Sequence, residues 1–349
     1  MSRLDHAAEI IELAGALGVE GPGPVEGILD HCRRRIDGWV AEAGGVAGID
    51  ALEALVTGRL QMVFEEIRAD EDFDRLTEVY ARGKREFVFA GMRPSFDDAA
   101  SPVYGLLVQR RNAGADAPDR YVAVVDCRGG KLARRFFTRW HEIAHRLTTQ
   151  GDLLEPVLRS EHDPIERLMD EIAAHVGFYS PIFDPALRQA GEGERLLRFG
   201  TVEGVIARAF PAASFQATLF ACIRRTTTPV VYLEAELKYK VGEERRLRSR
   251  QQTLFEDDPP VAKLRVGLTV PNQSAIDRGF RIMPNMRVPE GSVIHDLHAD
   301  TTAEQASSEE DLGTWEFSDG NSLPDCEVWV EARKAGDRII AIVQPTNRE

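Results

Sequence analysis

Residues 134–148 read RRFFTRWHEIAHRLT, and the fold is decided by how this stretch is read. Phe137, Trp140, Ala144 and Leu147 recur at helical spacing with no glycine or proline between them, which predicts a helix. Inside it lies His141-Glu142-Ile143-Ala144-His145, an H-E-x-x-H pentapeptide. Residues i and i+4 share one helical face, so His141 and His145 can offer two imidazole nitrogens to one metal ion. Glu142 is turned about 100° from His141 and can reach a water at that ion. A catalytic zinc takes three protein ligands and keeps one position for water. The third ligand must come from another part of the chain.

A second helix follows within reach. Pro164 suits the first turn of a helix, and IERLMDEIAAHVGFY runs from Ile165 to about Tyr179 before Pro181 stops it. The acidic and histidine candidates here are Glu161, His162, Glu166, Asp170, Glu171 and His175. Glu166 is the preferred ligand because Asp170 stands at i+4 on the same face. One carboxylate can bind the metal while the other accepts the N–H of a ligating imidazole, which sets the tautomer and raises its basicity. His162 and His175 are the alternatives. With one Zn2+ per chain, Glu142 becomes the general base for attack on a peptide carbonyl and later returns the proton to the leaving amine. Tyr104, Tyr121, His162, His175 and Tyr179 are candidate oxyanion donors, and no spacing selects among them. Cys127 lies 14 residues before His141. It is a candidate inhibitory thiolate that reaches the metal; the alternative is a strand-end cysteine that only packs.

Around these helices the pattern is mixed. Residues 4–83 read as helical, with apolar faces at Ile10/Ile11/Leu13/Leu17, at Val25/Ile28/Leu29/Cys32/Ile36, and at Leu52/Leu55/Val56/Leu60/Val63/Ile67. Strands are expected at 86–90, 103–108 and 121–125. Residues 192–226 read as helices, over 192–197, 202–210 and 215–223, the last two about a Pro211–Ser214 turn, a helix-turn-helix outline. A basic cluster follows at Lys238, Lys240, Arg245, Arg246, Arg248 and Arg250, beside Tyr239, which suits phosphate contact with base stacking; Glu243 and Glu244 also allow a plain solvated surface. From 262 onward the chain is strand-rich, with a hairpin over 328–343, and the acidic, serine-rich 301–311 reads as an exposed loop or short helix.

Composition bounds the alternatives. A chain of 349 residues can hold two or three domains, and 43% hydrophobic with 29% charged residues is ordinary for a soluble globular protein. A net charge of -14 argues against a protein coated in nucleic acid, though not against a local basic patch. Acids interrupt the apolar N-terminal stretch, so no signal peptide is read, and no apolar run approaches the ~18 residues of a membrane span. Four scattered cysteines without a C-x-x-C pair suit a reducing cytoplasm.

The order H-E-x-x-H, about twenty residues, then E-x-x-x-D resembles the gluzincin arrangement of thermolysin-type peptidases. More narrowly, RRFFTRWHEIAHRL resembles the RRFTLAHELGH signature of the ImmA/IrrE metallopeptidases, and ERLMDEIAA is similar to their E-x-x-A-[DN]-x-F-A-A motif. The resemblance covers about residues 120–181. It places Glu166 as third zinc ligand, Asp170 as the following polar residue and Ala173-Ala174 as the small pair. The chain departs from the pattern at Arg139-Trp140, where Leu-Ala is usual, and at His175, where a glutamate is usual. The resemblance implies an α+β fold: residues 1–190 a gluzincin-like metallopeptidase with a helical N-terminal region and a small sheet, 191–250 a helix-turn-helix-like segment, and 251–349 a GAF-like sensor domain. It implies a cytoplasmic zinc endopeptidase that cleaves a helix-turn-helix transcriptional repressor, with single-stranded DNA as the expected activator and no membrane partner. The alternatives are a general gluzincin and a DNA-binding regulator whose metal site is structural or vestigial.

Overall fold

The computed structural model describes residues 3–21, 23–82, 88–98, 103–111, 113–114, 116–149, 163–240, 242–245, 261–317 and 320–346. The fold is mixed α+β with two small sheets. The chain divides into two compact units. One comprises Met1–Ala190 with Val202–Ala221; the other comprises Gly191–Thr201 with Cys222–Glu349. Of the helices expected in 192–226, two are present as Phe199–Ala209 and Phe215–Arg225, each shared between the units, whereas 192–197 is turn and irregular chain.

In the first unit, α1 (Ala8–Ala16), α2 (Pro24–Glu42) and α3 (Ile49–Arg59) bury Ile10, Ile28, Cys32, Ile36, Leu52 and Val56 of the apolar faces read from the sequence. Ile11, read with the first face, is instead 54% exposed, because it is turned about 100° from Ile10 on the helix, and Leu13, Val25, Leu29 and Leu55 are half-buried. The third face does not continue as helix to Ile67. Gln61 adopts a left-handed φ of 53°, and Met62–Ile67 is a strand, β1. The spacing of Val56, Leu60, Val63 and Ile67 suits a helix. The competing stabilisation comes from a parallel ladder with β3 (Tyr121–Asp126), a partner that local periodicity cannot reveal. β2 (Gly105–Gln109) pairs antiparallel to β3 on its other side, giving the order β1-β3-β2. The strand expected at 86–90 is replaced where the structure describes it: between α4 (Glu71–Leu76) and α6 (Arg93–Asp97), Val88–Gly91 is one short helical turn, α5, with Phe89 buried beneath the sheet beside Phe96 and Val108. Its small, locally bonded turn presents the same aromatic side chain that a strand would have presented.

The central strand β3 is buried along its whole length. Its last residue, Asp126, is 1% exposed and accepts hydrogen bonds from the Arg128 guanidinium and the Lys131 ammonium at 2.9 and 2.6 Å. Burial alone would raise its pKa, but the bonds from Arg128 and Lys131 hold the carboxyl below its ordinary value. A carboxylate so depressed contributes its full stabilisation above the unfolded pKa of about 3.9 and loses it as pH falls through the lower folded value. Asp126→Asn should therefore cost about 3–5 kcal/mol near neutrality. Urea titrations of both proteins across pH should show the gap closing below about pH 4; a gap constant with pH would refute the assignment.

The H-E-x-x-H helix, α7 (Arg135–Thr148), follows a 3-10 turn at Gly129–Arg134 and packs on β2 and β3. Its buried stripe is Phe136, Trp140, Ile143, Ala144 and Leu147, so Phe136 rather than Phe137 takes the core position. α8 (Pro164–Gly177) begins at Pro164, with the Asp163 side chain accepting the Ile165 N–H at 2.8 Å. This is an N-cap preceding a first-turn proline. Pro181 does more than stop α8: it lies in the first turn of a further helix, Ser180–Ala190.

The second unit holds a five-stranded antiparallel sheet, ordered β5-β4-β8-β7-β6. Its strands are β4 (Val231–Lys238), β5 (Lys263–Pro271), β6 (Gln305–Asp311), β7 (Glu327–Ala335) and β8 (Arg338–Pro345). One face packs on a core that includes Ile294, Leu297 and Trp315. The expected hairpin is β7–β8. The acidic 301–311 stretch is neither loop nor helix in its second half. It is the edge strand β6, whose residues alternate between exposed and half-buried, so a polar sequence satisfies its backbone by pairing with β7 alone. The Gln344 side-chain amide accepts from Leu197 N–H at 3.0 Å and donates to Leu197 C=O at 2.8 Å, tying 191–201 to this sheet.

Candidate metal centre

The two helices deliver three ligand atoms to one point. Nε2 of His141 lies 3.2 Å from Nε2 of His145 and 3.1 Å from Glu166 Oε2; His145 Nε2 lies 3.5 Å from the same carboxylate oxygen. Among the described residues, His141, His145 and Glu166 form the group able to hold a metal ion. The spacing fits a zinc-sized ion. Ligand bonds of about 2.0–2.1 Å at tetrahedral angles separate the ligand atoms by roughly 3.3 Å, and two imidazoles with one carboxylate are a zinc donor set. Asp170 Oδ1 is 2.8 Å from Nδ1 of His141, so the other nitrogen of that ring is the one aimed at the group. Burial pushes the His141 pKa down, but the hydrogen bonds to Asp170 and Glu166 prevail and raise it. Glu166 is held well below the usual carboxylate range, its burial outweighed by His141 and His145. Asp170→Ala should weaken metal binding about ten- to hundredfold without abolishing it; competition with a chromophoric chelator measures this, and an unchanged affinity would remove Asp170 from the site.

Glu142 is 4% exposed and stands beside the cluster, not in it. Burial raises its pKa, and the two histidines pull it back in part. Its carboxylate packs against Gly105 of β2. A β-carbon on Gly105 would lie 2.3 Å from Glu142 Oε1 and 2.8 Å from Thr138 Cγ2. Gly105 is the site residue that sequence reasoning missed. A glycine inside a strand signals close approach by another group, and that signal was present.

The departures from the motif have structural roles. Arg139 reaches Glu53 of α3 through Nε at 3.1 Å and Glu66 of β1 through Nη1 at 3.1 Å, pinning α7 to both. Arg35 donates to the Leu147 carbonyl at 3.0 Å, holding the other end of the helix. Trp140 is fully buried against Gly177, where a β-carbon would come within 2.8 Å of its ring. The two helices approach so closely because the facing residue has no side chain.

Other candidates are placed elsewhere. The Cys127 thiol does not join the ligand group. Its amide donates to Ile67 C=O, and its thiol is raised by burial and by the Glu66 carboxylate, which disfavours a thiolate. Tyr179 donates to Asp37 at 2.6 Å, and Tyr121 is buried beneath the Arg146 guanidinium. His175 is half-buried and outside the group. Tyr104 directly precedes Gly105, the residue against which the Glu142 carboxylate packs. Glu161 and His162 lie outside the described residues, as do Arg246, Arg248 and Arg250 of the basic cluster. Of the rest of that cluster, Lys238 bonds Glu236 at 3.1 Å, the Lys240 amide donates to Glu243, and Arg245 ends a short helical turn.

No family model matches the chain, and no curated protein is significantly similar to it.

Proposed function

We propose that the chain is a zinc endopeptidase of the ImmA/IrrE type, cutting a helix-turn-helix repressor. The observation that carries this reading is the placement of Glu142, buried between Gly105 and the two ligand histidines. A metal site that served structure alone has no use for a desolvated carboxylate beside it. Zinc held by His141, His145 and Glu166 would supply a Lewis acid that acidifies water and polarises a carbonyl. Glu142, its proton affinity raised by burial, is suited to take a proton during attack and to give it to the departing amine. Asp170 holds the ring of His141 throughout.

The sheet edge favours an extended peptide as substrate. Asp126 N–H bonds Tyr104 C=O, and Arg110 N–H bonds Arg120 C=O. Antiparallel alternation therefore turns the N–H and C=O of Gly105 and Leu107 away from β3, and they have no partner among the described residues. A peptide added there as a strand passes beside Glu142.

The DNA-binding alternative meets an obstacle at its reading helix. Ser214 caps Phe215–Arg225 by accepting from the Ala217 amide, yet Gln216 and Arg224 are the only exposed residues of that helix. A helix that reads a groove must expose a face. Activation by single-stranded DNA remains part of the proposal. No described helix is long and apolar enough to cross a membrane. The test is incubation of the zinc-loaded protein with the repressor encoded beside it, with and without chelator and single-stranded DNA. Chelator-sensitive fragments at one bond are expected; an intact repressor in every condition would overturn the reading.

A further inference from the structure

The basic residues leading into the metal helix are nearly all neutralised. Arg128 pairs with Asp70, Asp97 and Asp126; Lys131 with Asp126; Arg135 with Glu66; Arg139 with Glu53 and Glu66. Arg134 is the exception. It is exposed, has no carboxylate partner among the described residues, and lies over the Tyr104 ring at 4.3 Å. Stacking on an aromatic face holds a guanidinium in place while leaving its in-plane N–H donors free.

Its position follows from the helix period. Arg134, Thr138, His141 and His145 succeed one another at i, i+4, i+7 and i+11, one face of the helical path. Thr138 lies against Gly105, and Tyr104 directly precedes Gly105 at the start of β2. Arg134 is thus displaced from His141 by about 10 Å along the helix axis, the length of roughly three residues of extended chain. A peptide lying along β2 past Glu142 would bring a side chain to Arg134 two or three residues from the bond cut.

We propose that Arg134, presented by Tyr104, is a specificity-determining subsite that binds an aspartate or glutamate side chain of the substrate. This rests on the peptidase reading above. A guanidinium with no carboxylate partner among the described residues suits a carboxylate of the substrate, which it can grip through two parallel bonds. In a chain of net charge -14, the general field disfavours acidic ligands, so selection for one requires a local unpaired cation of this kind. A backbone carbonyl bound at Arg134 would produce no side-chain preference.

The test uses a positional-scanning mixture of peptides and the full-length zinc-loaded protein. At one position two or three residues from the cut, glutamate should be preferred over glutamine about tenfold. Arg134→Ala should bring that ratio close to one, and Arg134→Glu should turn the preference towards lysine and arginine. Cleavage without an acidic preference, or with one that survives Arg134→Ala, overturns the inference and leaves the peptidase reading standing. A second arm captures the same mixture on immobilised Glu142→Gln protein, with and without Arg134→Ala, and needs no catalysis. Should no mixture be cleaved, with or without single-stranded DNA, the repressor incubation above decides the peptidase reading. The capture arm then decides: enrichment of acidic peptides that disappears with Arg134→Ala supports the subsite, and its absence overturns it.

Discussion

Glu142→Gln should abolish peptide cleavage while metal binding stays intact, whereas Glu166→Ala should lose both. The two carboxylates differ in what surrounds them. Glu166 points an oxygen at two imidazole nitrogens, 3.1 and 3.5 Å away, and belongs to the ligand group; Glu142 does not. Glutamine at 142 keeps the volume that fills the space against Gly105 but cannot accept a proton during attack. A lost general base costs about 10²–10⁴ in rate. Alanine at 166 leaves two imidazoles, too few for a catalytic zinc site. Since removing a hydrogen-bonding partner of a ligating histidine typically costs about ten- to hundredfold in affinity, loss of a ligand itself should cost more than about a hundredfold. Metal content after dialysis and initial cleavage rates measure the two effects separately. Activity retained in Glu142→Gln would refute the mechanism, and zinc retained in Glu166→Ala would refute the third ligand.

These side chains could be picked from the sequence because their geometry is local. An i,i+4 pair on a helix is a distance statement made by the sequence itself, which is why His141 with His145, and Glu166 with Asp170, could be paired before any fold was known. That the pairs meet is a tertiary fact, made by the packing of α7 on α8 through Trp140 and Gly177. β1 was hidden for the opposite reason. Its apolar residues satisfy a helical period, and the ladder that makes it a strand runs to residues near position 121. β4 carries no strand signal of its own, because a strand buried on both faces, as residues 231–235 are, shows no alternation. Cys127 shows the limit of counting along the chain. Fourteen residues before His141 allowed its thiol to face the metal, but the backbone bond to Ile67 sets it beside Glu66 instead.

Gly105→Ala should reduce cleavage about a hundredfold with metal binding and fold retained, the effect expected when a catalytic group is displaced by about 1 Å. The backbone at Gly105 is not left-handed, so alanine meets no conformational penalty there and even lowers the entropy of the unfolded chain. The cost is steric. The new β-carbon would sit 2.3 Å from Glu142 Oε1 and 3.0 Å from its Cδ, and a buried carboxylate has no solvent to swing into. Either Glu142 turns away from its working position or β2 is pushed outward, and the two outcomes separate in a double-mutant cycle. If Gly105→Ala acts through Glu142, adding it to Glu142→Gln should remove almost nothing further, because residues that act as a unit are not additive. Glu142→Asp, with a shorter side chain, should relieve the clash and recover part of any lost thermal stability. If the losses multiply instead, Gly105 acts by another route. The outward N–H and C=O that would dock the peptide strand are then the groups disturbed, and KM should rise more than kcat falls.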